Sequence, residues 1–254
     1  MRYARSMNTI DTILAGDCLT ILPTLAAGSV QLAYLDPPFN IGLGYRDYND
    51  NRPADEYFAW LETVFRAVLR TLTPAASLWV QCGQTIQAEA CVMLKRIGLH
   101  WRNSIIWQYN FGPHQTRKFA PSHQMIHGFS VHPKRFVFND DAVREPSLRL
   151  TKYKDRRANP KGRVPGDVWM IRRECGTFKG RIKGHPCQTP LAVPEKIIRA
   201  CSNPEDVVLD PMCGTGTACV AARLLGRRFI GIERSEATAE AARRRIAEML
   251  PFAG

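Results

Sequence analysis

The chain has 254 residues, 45% of them apolar and 23% charged, a composition that suits one or two globular domains with a buried core. Its 35 Lys and Arg outnumber 23 Asp and Glu, and the resulting formal charge of +12 points to a polyanionic partner, nucleic acid above all. No apolar run reaches the roughly 18 residues of a spanning helix, the first residues lack the core of a secretory signal, and the eight cysteines include no C-x-x-C pair. The expectation is a cytoplasmic protein with reduced thiols and no membrane association.

In chain order, Thr12-Ile13-Leu14-Ala15 is a short apolar run closed by Gly16-Asp17, and Val30 to Leu35 is a second, ended by Asp36 and two prolines. Phe58, Leu61, Val64, Phe65, Val68, Leu69 and Leu72 recur at spacings of three and four, one face of a helix that stops near Pro74. A third strand follows at 77–80, a helix at 84–97 and a strand at 105–107, where Trp107 reads as a core aromatic. Beyond the middle of the chain, Thr189-Pro190 opens a helix to about Cys201. Val207 to Asp210 is a strand leading through a glycine-containing turn into an alanine-rich helix to Leu225, and Phe229 to Glu233 is another strand. Ser235 caps a last helix, on which Arg243, Arg244 and Arg245 read as a solvated face. Strands alternating with helices predict an α/β fold with a doubly wound, mostly parallel sheet. Its halves are placed at 1–107 and 185–254, with a basic insert at 108–184.

That insert differs in composition. Between Lys134 and Lys183 there are 15 Lys or Arg against 6 Asp or Glu, interleaved with Tyr153, Pro160, Gly162, Trp169 and Phe178. A solvated face is the plain alternative, but the interleaved aromatics favour a nucleic-acid surface. Arg149, Lys152, Lys154, Arg156, Arg157, Lys161, Arg163, Lys179, Arg181 and Lys183 are its candidate contacts. His123, His127 and His132 lie close together without Cys or acid at matching spacing, so they read as polar loop residues or phosphate contacts, and no metal is expected.

Asp210-Pro211-Met212-Cys213-Gly214-Thr215-Gly216-Thr217 stands between a strand and a helix, where glycines let the backbone turn and approach a ligand. It is neither a Walker loop nor G-x-G-x-x-G, because Cys219 holds the third glycine position. Asp210 opposes a pyrophosphate but suits an ammonium group, and Glu233, ending the next strand, is placed to bond a ribose. A ligand with an ammonium, a ribose and no phosphate is S-adenosylmethionine. Asp36-Pro37-Pro38-Phe39 also ends an apolar strand. Prolines leave rigid outward carbonyls, a carboxylate beside one makes a two-point acceptor for an amine, and Phe39 offers a face for a ring. Holding both hydrogens of an exocyclic amine makes its delocalised lone pair a better nucleophile.

Together these motifs resemble the DNA methyltransferases that modify adenine N6 or cytosine N4, in the permuted order called the beta class. The resemblance takes in Gly16-Asp17-Cys18-Leu19, His185 to Pro190, and Gly226 to Glu233. It implies Asp17 and Cys18 beside the cofactor's adenine, Gln188 and Thr189 at its carboxylate, Asp36 and Asp210 to Thr217 around its methionine part, and Glu233 on the ribose. It implies a flipped target base, double-stranded DNA as partner and a homodimer as the assembly to expect. Two positions depart from the family pattern: Met212 stands where Phe is usual, and Thr189 where Lys is usual. Asp36 leans the reading toward adenine N6, with Cys213 needing no nucleophilic role. Cytosine N4, an RNA substrate, a nucleotide-dependent oxidoreductase and a non-catalytic nucleic-acid-binding module are the alternatives.

Overall fold

The computed structural model describes residues 10–45, 47–109, 114–174 and 188–249. The apolar runs become strands β1 (Thr12–Ala15), β2 (Val30–Leu35), β3 (Leu72–Cys82), β4 (His100–Gln108), β5 (His123–Ser130), β6 (Val168–Met170), β7 (Val207–Asp210) and β8 (Arg228–Glu233). They form one sheet in the order β1-β8-β7-β2-β3-β5-β4-β6. The first five in that order are parallel, β5 runs antiparallel to both its neighbours, and β6 is parallel to β4.

Alternation along the strands splits the core into two layers. Leu32, Tyr34, Trp79, Val208 and Phe229 face α5 (Ala192–Cys201), α6 (Thr217–Leu224) and α7 (Glu236–Glu248). Ala33, Leu35, Leu78, Val80 and Leu209 face the short α1 (Cys18–Ile21), α2 (Ala54–Thr71) and α3 (Gln87–Arg96). Helix α2 buries Leu61, Val64, Phe65 and Val68, the predicted face. It ends at Thr71, and Pro74 sits inside β3, where the β2 register shifts between Val30 and Leu32 and no ladder donor is needed.

Strand β1 pairs with β8, so the first strand of the chain lies at the sheet edge beyond β8 and β7, away from β2. The 108–184 stretch contributes β5 and β6 to the sheet, while its basic part carries only short pieces, such as α4 (Leu148–Thr151). His123 and His127 are strand residues, not loop residues. His127 is buried, its ring bonded to Ser104 Oγ at 2.8 Å and to the Gln87 carbonyl at 3.0 Å, and burial lowers its pKa. The strand escapes sequence reading because it is covered on both faces yet holds His, Gly and Ser where apolar residues are usual. His132 lies beyond β5, and its Nδ1 accepts the backbone amides of Lys134 and Arg135.

Candidate active site

A parallel sheet puts its strand ends on one edge, and ligands bind there. The sheet order sets β7 against β2, so Asp210, ending one, comes beside Asp36, just past the other, with Glu233 at the end of β8. These acids line one cleft of about 640 Å³, together with Asp17, Cys18, Pro37, Pro38, Phe39, Gln188, Thr189, Pro211 to Thr215 and Thr217. Of the expected contacts, Gly216 does not line the cleft. It adopts φ +76° ahead of α6, and a side chain there would press on Ala242 Cβ at 3.1 Å. Lys179, Arg181 and Lys183 lie outside the described residues.

Burial pushes the Asp36 carboxyl up to about 7, against the pull of a hydrogen bond from Thr189. Its Oδ2 accepts from Thr189 Oγ1 at 2.9 Å and from Gln81 Nε2 at 3.1 Å; its Oδ1 has no donor among the described residues. Gln81 is clamped in turn, since Tyr34 donates to its Oε1 at 2.5 Å. Tyr57 donates to the Pro38 carbonyl at 2.6 Å, leaving the Pro37 carbonyl without a protein donor among the described residues. Phe39 lies flat against the backbone of Gly83, where an added Cβ would come within 2.7 Å of the ring. The chain beyond it is pinned by buried Asp50, whose carboxylate accepts the amides of Asn40, Ile41 and Leu43.

Around the glycine loop, Glu233 accepts from Gly214 N at 3.0 Å and Ser235 N at 2.9 Å. Burial raises its pKa against those two bonds. Asp210 is raised well above the carboxylate range, by burial first and then by the neighbouring charges of Asp36 and Glu233. Three acids that each resist ionisation suit a cationic ligand and repel a phosphate. Thiol chemistry is quiet here: burial pushes Cys18 up to about 12, and Cys219 beside it and burial raise Cys213.

Thr189 spends its hydroxyl on Asp36 and lies two residues ahead of Leu191, the residue that precedes α5, not at the helix start expected. Gln188 donates its amide to Glu174. Within the arginine triplet of α7, Arg244 is solvated as expected, whereas Arg243 and Arg245 turn inward. Arg243 bonds the Ile13 carbonyl, and Arg245 reaches Thr215 O at 3.1 Å and Thr217 Oγ1 at 2.8 Å, tying the last helix to the glycine loop. Ala239 and Ala242, both fully buried, let α7 pack that close. Sequence reading missed Tyr34, Tyr48, Trp60, Gln81 and Gln124, all of which line the cleft; only their pairing in space marks them. Trp107 is both core and cleft wall, 2% exposed with its indole N–H on the Ile171 carbonyl.

Of the seven described candidate contacts in the basic segment, four are ion-paired: Arg149 and Arg157 with Asp155, Lys161 with Asp141, and Arg163 with Glu145. Lys152 lies over the Tyr153 ring. Among the described residues no group of three or more His, Cys, Asp or Glu is placed to hold a metal ion, and no helix is long and apolar enough to cross a membrane.

A doubly wound sheet with a proline-rigid carboxylate beside an acidic glycine loop is the architecture of a cofactor-dependent enzyme. Comparison with known proteins narrows that class. A family model described as DNA methylase matches residues 30–244. The type II methyltransferase M.HpaI of Haemophilus parainfluenzae is 32% identical, over 92% of this chain and 73% of its own. The DNA adenine methyltransferase YhdJ of Escherichia coli is 31% identical, over 89% of this chain and 79% of its own. Among solved structures, the M1.HpyAVI complex with SAM superposes with a TM-score of 0.65 at 24% identity, covering 92% of this chain and 98% of that one. The PvuII cytosine-N4-specific DNA methyltransferase gives 0.68 at 18% identity, covering 93% and 90%. The chain belongs to the N6/N4 DNA methylase family and is a DNA methyltransferase.

Proposed function

We propose that the protein moves a methyl group from S-adenosylmethionine to the N6 amine of an adenine flipped out of double-stranded DNA. The observation that carries this reading is the pair of acceptors at the β2 end, Asp36 Oδ1 and the Pro37 carbonyl, neither with a donor among the described residues. The methyl donor fits the loop: Asp210 suits its ammonium and sulfonium charges, Glu233 its ribose, and Asp17 and Cys18 its adenine. Bound there, S-adenosylmethionine supplies an electrophilic methyl on sulfur. Asp36 and the Pro37 carbonyl hold the two amine hydrogens and aim the nitrogen lone pair along the line of attack. Held by Asp210 and Glu233, the donor would give its methyl to the amine nitrogen and keep the electron pair of the broken sulfur–carbon bond. Asp36, whose carboxyl titrates near 7, takes the surplus proton.

The chain order, catalytic turn before cofactor loop, is the permuted arrangement. The bacterial relatives point to a cytoplasmic protein that associates with the nucleoid when bound to DNA.

Nucleoside mass spectrometry after incubation with S-adenosylmethionine and unmodified genomic DNA tests the reading. N6-methyladenine is expected. N4-methylcytosine would keep the mechanism and overturn the base. No methylated nucleoside would overturn both.

A further inference from the structure

The hydrogen bonds around Asp36 continue into a side chain that the mechanism does not use. An ionised carboxylate only accepts, so Gln81 must turn its Nε2 toward Asp36 Oδ2. Its Oε1 then faces Tyr34, whose buried phenol is held far above its ordinary pKa and therefore donates. The same Gln81 nitrogen donates at 2.7 Å to Gln124 Oε1. Each bond fixes the next amide, and the last one leaves Gln124 with its oxygen occupied and its –NH2 group directed elsewhere. That nitrogen has no partner among the described residues, and Gln124 lines the cleft near the start of β5, opposite Trp107 of β4. Asp36 and Gln124 thus sit on either side of one amide nitrogen, near enough for a single heterocycle to meet both.

Resting on the reading above, we propose that Gln124 reads the target base, donating a hydrogen bond to the ring nitrogen next to the amine-bearing carbon while Asp36 and Pro37 hold the amine. In adenine that nitrogen is N1 and in cytosine N3, both acceptors. Guanine and thymine carry an N–H and a carbonyl at the matching places, so both contacts would clash in sign. Gln81 and Tyr34 act as positioning residues that set the amide's orientation, and Gln124 selects bases with an amine beside an acceptor.

The test uses duplexes carrying the methylated site, once read from genomic DNA, with adenine or 1-deazaadenine at the target. Wild-type enzyme should lose about tenfold in kcat/KM on 1-deazaadenine, the usual worth of one such bond. Gln124→Leu should lose as much on adenine and no longer distinguish the two bases, with its affinity for S-adenosylmethionine unchanged. Gln124→Leu that discriminates as well as wild type overturns the assignment alone. Should that variant fail to bind S-adenosylmethionine, Gln124→Glu, close in shape and unable to donate, takes its place under the same criterion. If the product is N4-methylcytosine, 3-deazacytosine replaces 1-deazaadenine. Wild-type enzyme that leaves all DNA unmethylated overturns the functional reading and takes the Gln124 assignment with it.

Discussion

In the proposed mechanism Asp36 carries two demands that conflict electrostatically. Accepting hydrogens from an amine requires the ionised form, and the surroundings that make it useful, a buried strand end with Asp210 nearby, oppose ionisation. Two results are expected. Methyl transfer should rise with pH through about 7, since protonated Asp36 cannot accept, and single-turnover rates at saturating cofactor would show it. A rate flat across that range would remove Asp36 from the proton path. Stability should run the other way. A carboxyl raised in the folded state stabilises it below the ordinary carboxylate range, and that contribution is lost as pH rises through the folded value. Asp36→Asn should therefore melt higher than wild type at pH 8.5 without cofactor. The gain is roughly 4 kcal/mol at most for a rise to about 7, should shrink toward pH 5, and should come with loss of turnover. At this scale the sequence reveals strand-end acids and not their partners. Asp36, Asp210 and Glu233 each follow an apolar run; Gln81 and Thr189 lie 45 and 153 positions from Asp36, and Gln81 meets it through the β2–β3 pairing, Thr189 from the segment leading into α5.

Strand β5 shows which elements a sequence hides. The parallel strands announce themselves as apolar runs because both faces are covered, whereas β5 reads His-Gln-Met-Ile-His-Gly-Phe-Ser and lies between β3 and β4. Its odd residues are dictated by neighbours. Gly128 is there because the Trp79 indole crosses it, and an added Cβ would stand 2.5 Å from ring carbon Cη2. His127 replaces an apolar residue because Ser104 and the Gln87 carbonyl satisfy both ring nitrogens. Gly128→Ala should then destabilise by about 1–3 kcal/mol, the usual effect of overpacking a filled core, since the whole indole must shift. Chemical denaturation would measure it. A variant as stable as wild type would mean that Trp79 has room to move. Because Gln124 and His123 lie on the same strand, the variant should also lower turnover more than it lowers cofactor affinity.

Over the whole molecule the charge of +12 is concentrated in one segment, yet much of that segment's charge is already engaged. Arg149 and Arg157 share Asp155, and both arginines reach well into solvent, at 59% and 84% exposed. Solvent screens such pairs strongly, so a phosphate can displace the carboxylate at little cost. Lys154, at φ +51°, Arg156 and Lys152 make no ion pair among the described residues and offer their charge directly. Each phosphate contact contributes about 0.9 to the slope of log affinity against log salt. Replacing Lys152, Lys154 and Arg156 by Ala together should flatten that slope by roughly 2.7, three such contacts, and weaken DNA binding without changing cofactor affinity. Asp155→Asn, which frees two arginines, should leave the slope the same or steeper. Binding isotherms between about 50 and 200 mM salt decide it. A triple variant with the wild-type slope would move the DNA-binding surface off this segment and toward the cleft rim around Lys118 and Arg173.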